Sequence, residues 1–156
     1  MASEQQVNVS TPSELYNAML PNWELTTALM GGTKAMREAG SLYLPQEAEE
    51  ELSSYQTRLE RSFLFPAFQR TVQTLVGKVF AEAVQYNEGF PADLEAMCEN
   101  VDMSGRSLSV FARDVFEAAL RDGLTHIHVD YPRAEAVAGQ ATLEDDRRAG
   151  ARPYMR

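Results

Sequence analysis

His126, His128 and Asp130 are the residues of this chain whose types and spacing come nearest to a reactive site. They alternate, so on a strand they share one face, and imidazoles with a carboxylate form a zinc- or iron-binding set. Three ligands leave the shell incomplete, and the chain has 2 histidines in all. The plainer reading is a strand with a polar, partly wet face, and no metal or other cofactor is expected. Cys98 beside His126 or His128 could supply a nucleophile and a base. It falls, however, on an apolar helix stripe with Leu94, Met97 and Val101. On such a stripe a thiol behaves as a small, inert hydrophobe.

Other reactive patterns are missing. Gly31-Gly32 lacks the context of a phosphate-binding loop, and no serine sits in a nucleophile elbow. The carboxylates look like ordinary helix-surface charge. Arg147, Arg148, Arg152 and Arg156 form a small basic tail whose field Glu144, Asp145 and Asp146 largely cancel, so a solvated loop is predicted there. The expectation is a chain without a self-sufficient enzyme active site.

The elements that would position these residues are mostly helices. Thr11-Pro12-Ser13-Glu14 reads as a capping box with proline at the first helical position. Leu15, Tyr16, Met19 and Leu20 then follow helical spacing. Pro21 is expected to break or kink this helix, and a second piece anchored by Trp23 runs to Gly31-Gly32. A short turn closes at Gly40, and Leu42-Tyr43-Leu44-Pro45 is extended. Glu47 to Arg61 reads as a helix with Leu52, Tyr55 and Leu59 buried and its end charges matched to the helix dipole. Phe65 to Phe80 carries Phe65, Phe68, Val72, Leu75, Val76 and Val79 on one face. Gly77 within it implies close approach of another backbone. Pro91 starts a short helix. Ser107 caps a stripe from Leu108 through Phe111, Val115 and Phe116 to Leu120, and Gly123 closes it.

Leu124 to Tyr131 then alternates as a strand, ended by Pro132. The predicted order is a disordered N-terminus over 1–10, a helical domain over 11–132 ending in strand 124–131, a flexible loop over 133–151, and the start of a further strand over 152–156. The fold class is mainly α with a small β component (α+β). A lone strand leaves its backbone unpaired. The expectation is therefore that another chain completes the sheet, or that these residues begin a longer protein.

Composition narrows the function classes. The 156 residues suit one ordinary domain, and 44% are apolar, enough for a modest core. A formal net charge of -9 disfavours tight nucleic-acid binding and docking on anionic lipid. The single cysteine suits a reducing compartment. The N-terminus lacks a signal-peptide pattern, and no apolar run approaches the roughly 20 residues of a membrane span. Work in a cytosol, or in something assembled there, is expected.

An ordered series of residues carries a resemblance: Trp23, Gly31-Gly32-Thr33-Lys34, Tyr43-Leu44-Pro45, Tyr55 with Leu59-Glu60-Arg61, Arg70-Thr71-Val72, Gly77-Lys78-Val79-Phe80, Asp102-Met103-Ser104-Gly105, and Val129-Asp130-Tyr131-Pro132. Over roughly residues 15 to 132 it resembles the N-terminal portion of the portal-like proteins of tailed bacteriophages and prophages. Arg152-Pro153-Tyr154 looks like the start of that family's next strand. His126 and His128 depart from the small or aliphatic residues expected there. The resemblance implies a structural subunit of a ring at the capsid vertex, usually of twelve copies, in the virion. That ring serves DNA packaging, ejection and head-tail connection. Its implied partners are further copies of itself, capsid protein, a terminase and a head-tail adaptor. DNA would pass through without sequence-specific binding, and no membrane is involved. Residues 11–132 would form the helical wing region. The competing readings are a generic helical protein-protein interaction module or other phage assembly factor, and a small metal-dependent enzyme using His126, His128 and Asp130.

Overall fold

In the computed structural model the first helix, α1, spans Glu14–Ala39. The structure describes residues 10–132 and 142–156. Ser13 is the N-cap of α1, its hydroxyl accepting from Tyr16 N–H at 3.1 Å. The cap therefore lies two residues past Thr11, because Pro12 holds the preceding residue extended and Glu14 is the first helical position. Pro21 lies inside α1 and does not end it; the backbone departs from helical geometry at Gly32, with φ 68° and ψ -153°. Few residues other than glycine tolerate those angles. The neighbouring Gly31 leaves no room for a side chain, since an ideal Cβ there would lie 2.5 Å from Ala35 Cβ.

A 3-10 turn over Gly40–Leu42 follows, then α2 at Leu52–Arg61 and α3 at Ala67–Val79. The helix expected from Glu47 starts later because Glu50 is engaged otherwise. Arg58 forks onto its carboxylate at 2.8 and 2.7 Å and reaches Pro45 O at 2.9 Å, while Glu47 N–H also donates to that carboxylate. These bonds fold residues 45–50 into a turn at the head of α2. The Arg58 guanidinium holds the Glu50 carboxyl below the usual range.

The chain divides into two compact units, Met1–Val72 and Gln73–Arg156. In the first, Arg37 donates twice to Ser62 O, and Leu64 N–H donates to Thr33 Oγ1. Ala28, Tyr55 and Val72 are its buried apolar residues. The second contains α4 at Ala92–Cys98, α5 at Leu108–Asp122, the two-residue strand β1 at Val129–Asp130, α6 at Leu143–Arg148, and β2 at Tyr154–Met155. Val76, Val101, Phe111 and Tyr154 are buried there. Phe80 and Phe116 meet edge to face at 5.7 Å. Gly123 ends α5 in the left-handed conformation, its N–H on Ala119 O.

The fold is mainly helical with one small antiparallel sheet. Three local expectations need correcting. The strand expected over 124–131 is confined to Val129–Asp130, since ladder geometry exists only where the chain's last residues lie opposite. The loop expected over 133–151 contains α6; residues 133–141 lie outside the described residues, as do 1–9 of the N-terminal stretch. Among the described residues Gly77 has no neighbour within 4 Å of where a Cβ would stand, so no close backbone approach there explains it.

Candidate functional site

The β1–β2 ribbon holds two of the residues singled out for their chemistry, His128 and Asp130. Its register pairs Val129 with Met155 and Asp130 with Tyr154. One step further, His128 and Arg156 exchange both backbone bonds, at 3.0 and 2.9 Å. On its other side β2 is tied to the loop after α4, with Met155 N–H donating to Val101 O at 2.8 Å. Arg152 donates to Met97 O and to Asn100 O. The basic tail is thus partly structural: Arg152 pins the C-terminal segment to α4, and Arg156 stacks over the Tyr154 ring at 4.9 Å.

Asp130 is committed within this ribbon. Tyr131 N–H donates to one carboxylate oxygen at 2.8 Å and the Tyr154 hydroxyl to the other at 2.9 Å. These two bonds hold the Asp130 carboxyl below its ordinary range, helped less by the nearby charges of His128 and Arg156. The same bond from the other side pushes the Tyr154 phenol up, and burial adds to it. His126 and His128 are exposed. Among the described residues, no group of three or more His, Cys, Asp or Glu side chains is placed to hold a metal ion. Of the three candidate ligands, His128 and Asp130 share the ribbon and His126 lies outside its paired residues. Cys98 is half-buried and lies beside Tyr86, whose phenol it pushes up and whose ring stacks on Phe90.

Sequence reasoning missed the parts that fasten the ribbon. The loop from Asn100 to Arg106 is knitted by Asp102, which accepts from Ser104 N–H and Arg106 N–H, and by Asn100, which accepts from Gly105 N–H. These bonds keep the Asp102 carboxyl low and hold Val101 O in line for Met155. The helix α6 was legible as Thr142-Leu143-Glu144-Asp145, a capping box. Thr142 N–H and hydroxyl both reach the Asp145 carboxylate, and Asp145 N–H returns to the Thr142 hydroxyl.

Beside the ribbon lies an apolar groove of about 360 Å³ lined by Phe80, Phe111, Val115, Phe116, Ile127 and Met155. In the first unit a cleft of about 650 Å³ runs past Tyr16, Trp23, Thr27 and Leu42, where Tyr16 and Trp23 meet edge to face at 5.3 Å. Large apolar side chains also stand in solvent: Phe63 is 75% exposed, Phe65 68% and Leu52 62%. The stripe predicted for α3 is split, since Val72 and Val76 are buried while Leu75 and Val79 are exposed. No helix among the described residues is long and apolar enough to cross a membrane.

Compared with protein-family models, curated proteins and solved structures, the chain has no match.

Proposed function

We propose that this chain is a structural assembly subunit of the phage portal type, the helical part of a ring at a capsid vertex through which DNA is packaged and released. The observation that carries the assembly reading is the exposure of Phe63, Phe65, Leu52 and Val79. Scattered apolar residues are normal on any surface, but exposed aromatic side chains such as those of Phe63 and Phe65 are the kind enriched in subunit contacts. The portal assignment itself rests on the residue series from Trp23 to Pro132 described above. The net charge of -9 supports it, because a conduit for DNA must not grip phosphate. Subunits, capsid protein, terminase and a head-tail adaptor are the partners of this reading. Its residues serve packing and not catalysis.

Negative-stain electron microscopy of the purified chain, and of the particles it comes from, tests the proposal. Closed rings with a central hole, or the chain located at a single capsid vertex, are expected. A monodisperse small species found in no particle overturns the portal reading and leaves a helical interaction module.

A further inference from the structure

We infer that the outer edge of β1 is a self-complementary docking strand for a second copy of this chain. The argument begins with ladder parity. His128 and Asp130 turn their backbone groups inward, towards Arg156 and Tyr154. In an antiparallel ladder the alternate residues then turn theirs outward, so Ile127, Val129 and Tyr131 set their backbone groups along the edge away from β2, the Tyr131 N–H being bonded there to the Asp130 carboxylate. No hydrogen bond reaches the backbone of Val129 among the described residues. The same three residues are 50%, 62% and 43% exposed. The segment carries neither lysine nor an internal proline, the usual means of blunting an edge.

The sequence of this edge says which occupant fits. Two antiparallel copies crossing at Val129 place Val129 opposite Val129, and Ile127 opposite Tyr131 twice. Those are the outward-turned residues, so each pair exchanges both backbone bonds, about six in all. On the other sheet face the same register sets His128 opposite Asp130, again twice, a pairing of a basic with an acidic group. β-branched with aromatic side chains is a favourable cross-strand combination, and an imidazole opposite a carboxylate can donate a hydrogen bond to it. A one-residue slip would set outward-turned residues of one copy opposite inward-turned residues of the other and lose every pair. Tyr131 N–H would exchange its bond to Asp130 for one to Ile127 of the second copy. The result is a four-stranded sheet, β2-β1-β1-β2, across a two-fold axis. An isologous contact closes on a pair and builds no ring, so it stands or falls apart from the portal reading.

Sedimentation of the full chain over a concentration series tests this. A mass rising from 17.4 kDa towards twice that value is expected. V129P removes the central outward N–H and leaves both bonds between His128 and Arg156, so it should hold the mass at the monomer value. Because a proline could disturb the ribbon itself, V129C is the parallel test. The two thiols face each other across the axis, and mild oxidation should give a crosslinked pair on a denaturing gel. H126C should not crosslink, since its copies lie about 20 Å apart in this register; the wild type, with Cys98 alone, is the control. A monomer at every concentration overturns the inference, as does a V129C chain that crosslinks no faster than H126C. If the chain also closes into rings, V129C still decides, because only contact at Val129 gives the bond.

Discussion

The Tyr154 hydroxyl donates to Asp130 at 2.9 Å between residues directly opposite one another in the ladder. This bond joins a buried phenol to an exposed carboxylate and ties the last residues of the chain to the end of the segment after α5. It is the one side-chain bond between β1 and β2 among the described residues.

The pH dependence of the ribbon follows from it. Asp130 has its carboxyl lowered in the folded state, so its stabilising contribution is complete above the ordinary aspartate range, near 3.8, and is lost as pH falls through the lower folded value. Tyr154, raised from 10.0, adds stability that is present below 10 and lost as pH rises through its higher folded value. Y154F should bring the Asp130 carboxyl part of the way back up, because Tyr131 N–H still holds it. Carbon-detected titration of Asp130 checks this; an unmoved titration in Y154F would show the bond to be absent in solution.

A second tyrosine should behave in the opposite way. The Tyr55 hydroxyl is buried and has no hydrogen-bond partner among the described residues. An unsatisfied buried polar group costs about 1–3 kcal/mol. Y55F is therefore expected to be neutral or to stabilise by about 1 kcal/mol, read from urea unfolding. A loss of stability would mean that the hydroxyl has found a partner.

Two glycines should also diverge. Gly32 has φ 68° and ψ -153°, so G32A should destabilise by about 1–3 kcal/mol. Gly77 lies inside α3 with open space where a Cβ would stand, so G77A should stabilise by about 0.5–1 kcal/mol. Thermal melts of both variants against wild type read the signs directly.

Burial separates two phenylalanines. Phe111 is 5% exposed and Phe63 75%. F111A should cost about 3–5 kcal/mol through lost burial and the cavity left behind. F63A should leave unfolding within about 0.5 kcal/mol of wild type. If Phe63 is a subunit contact, the same variant should weaken assembly, which light scattering would show.

Replacing Thr142 tests whether α6 depends on its cap. T142A removes the two bonds of the Thr142 hydroxyl with Asp145, leaves the one from the Thr142 N–H, and should cost the short helix about 1 kcal/mol. Faster amide exchange at 146 and 149, whose N–H groups donate to Thr142 O and Asp145 O, is the readout. Unchanged exchange would place the helix's stability elsewhere.

The amino-acid order by itself determined what depends on neighbours a few residues away. The apolar period of α5 and the left-handed stop at Gly123 were legible because propensity and capping act within one turn of helix. The capping box at Thr142 is equally local. The tertiary structure decided what depends on distant partners. Arg58 reaching back to Glu50 delayed the start of α2. Pairing with Tyr154 and Met155 gave strand geometry to two residues of an eight-residue alternating pattern. Val101 O and Asp130 acquired their roles only when the last residues came to lie beside them. Hydrogen bonds and burial at such positions join residues tens of places apart, and alternation along one segment carries no information about which segment will lie opposite it.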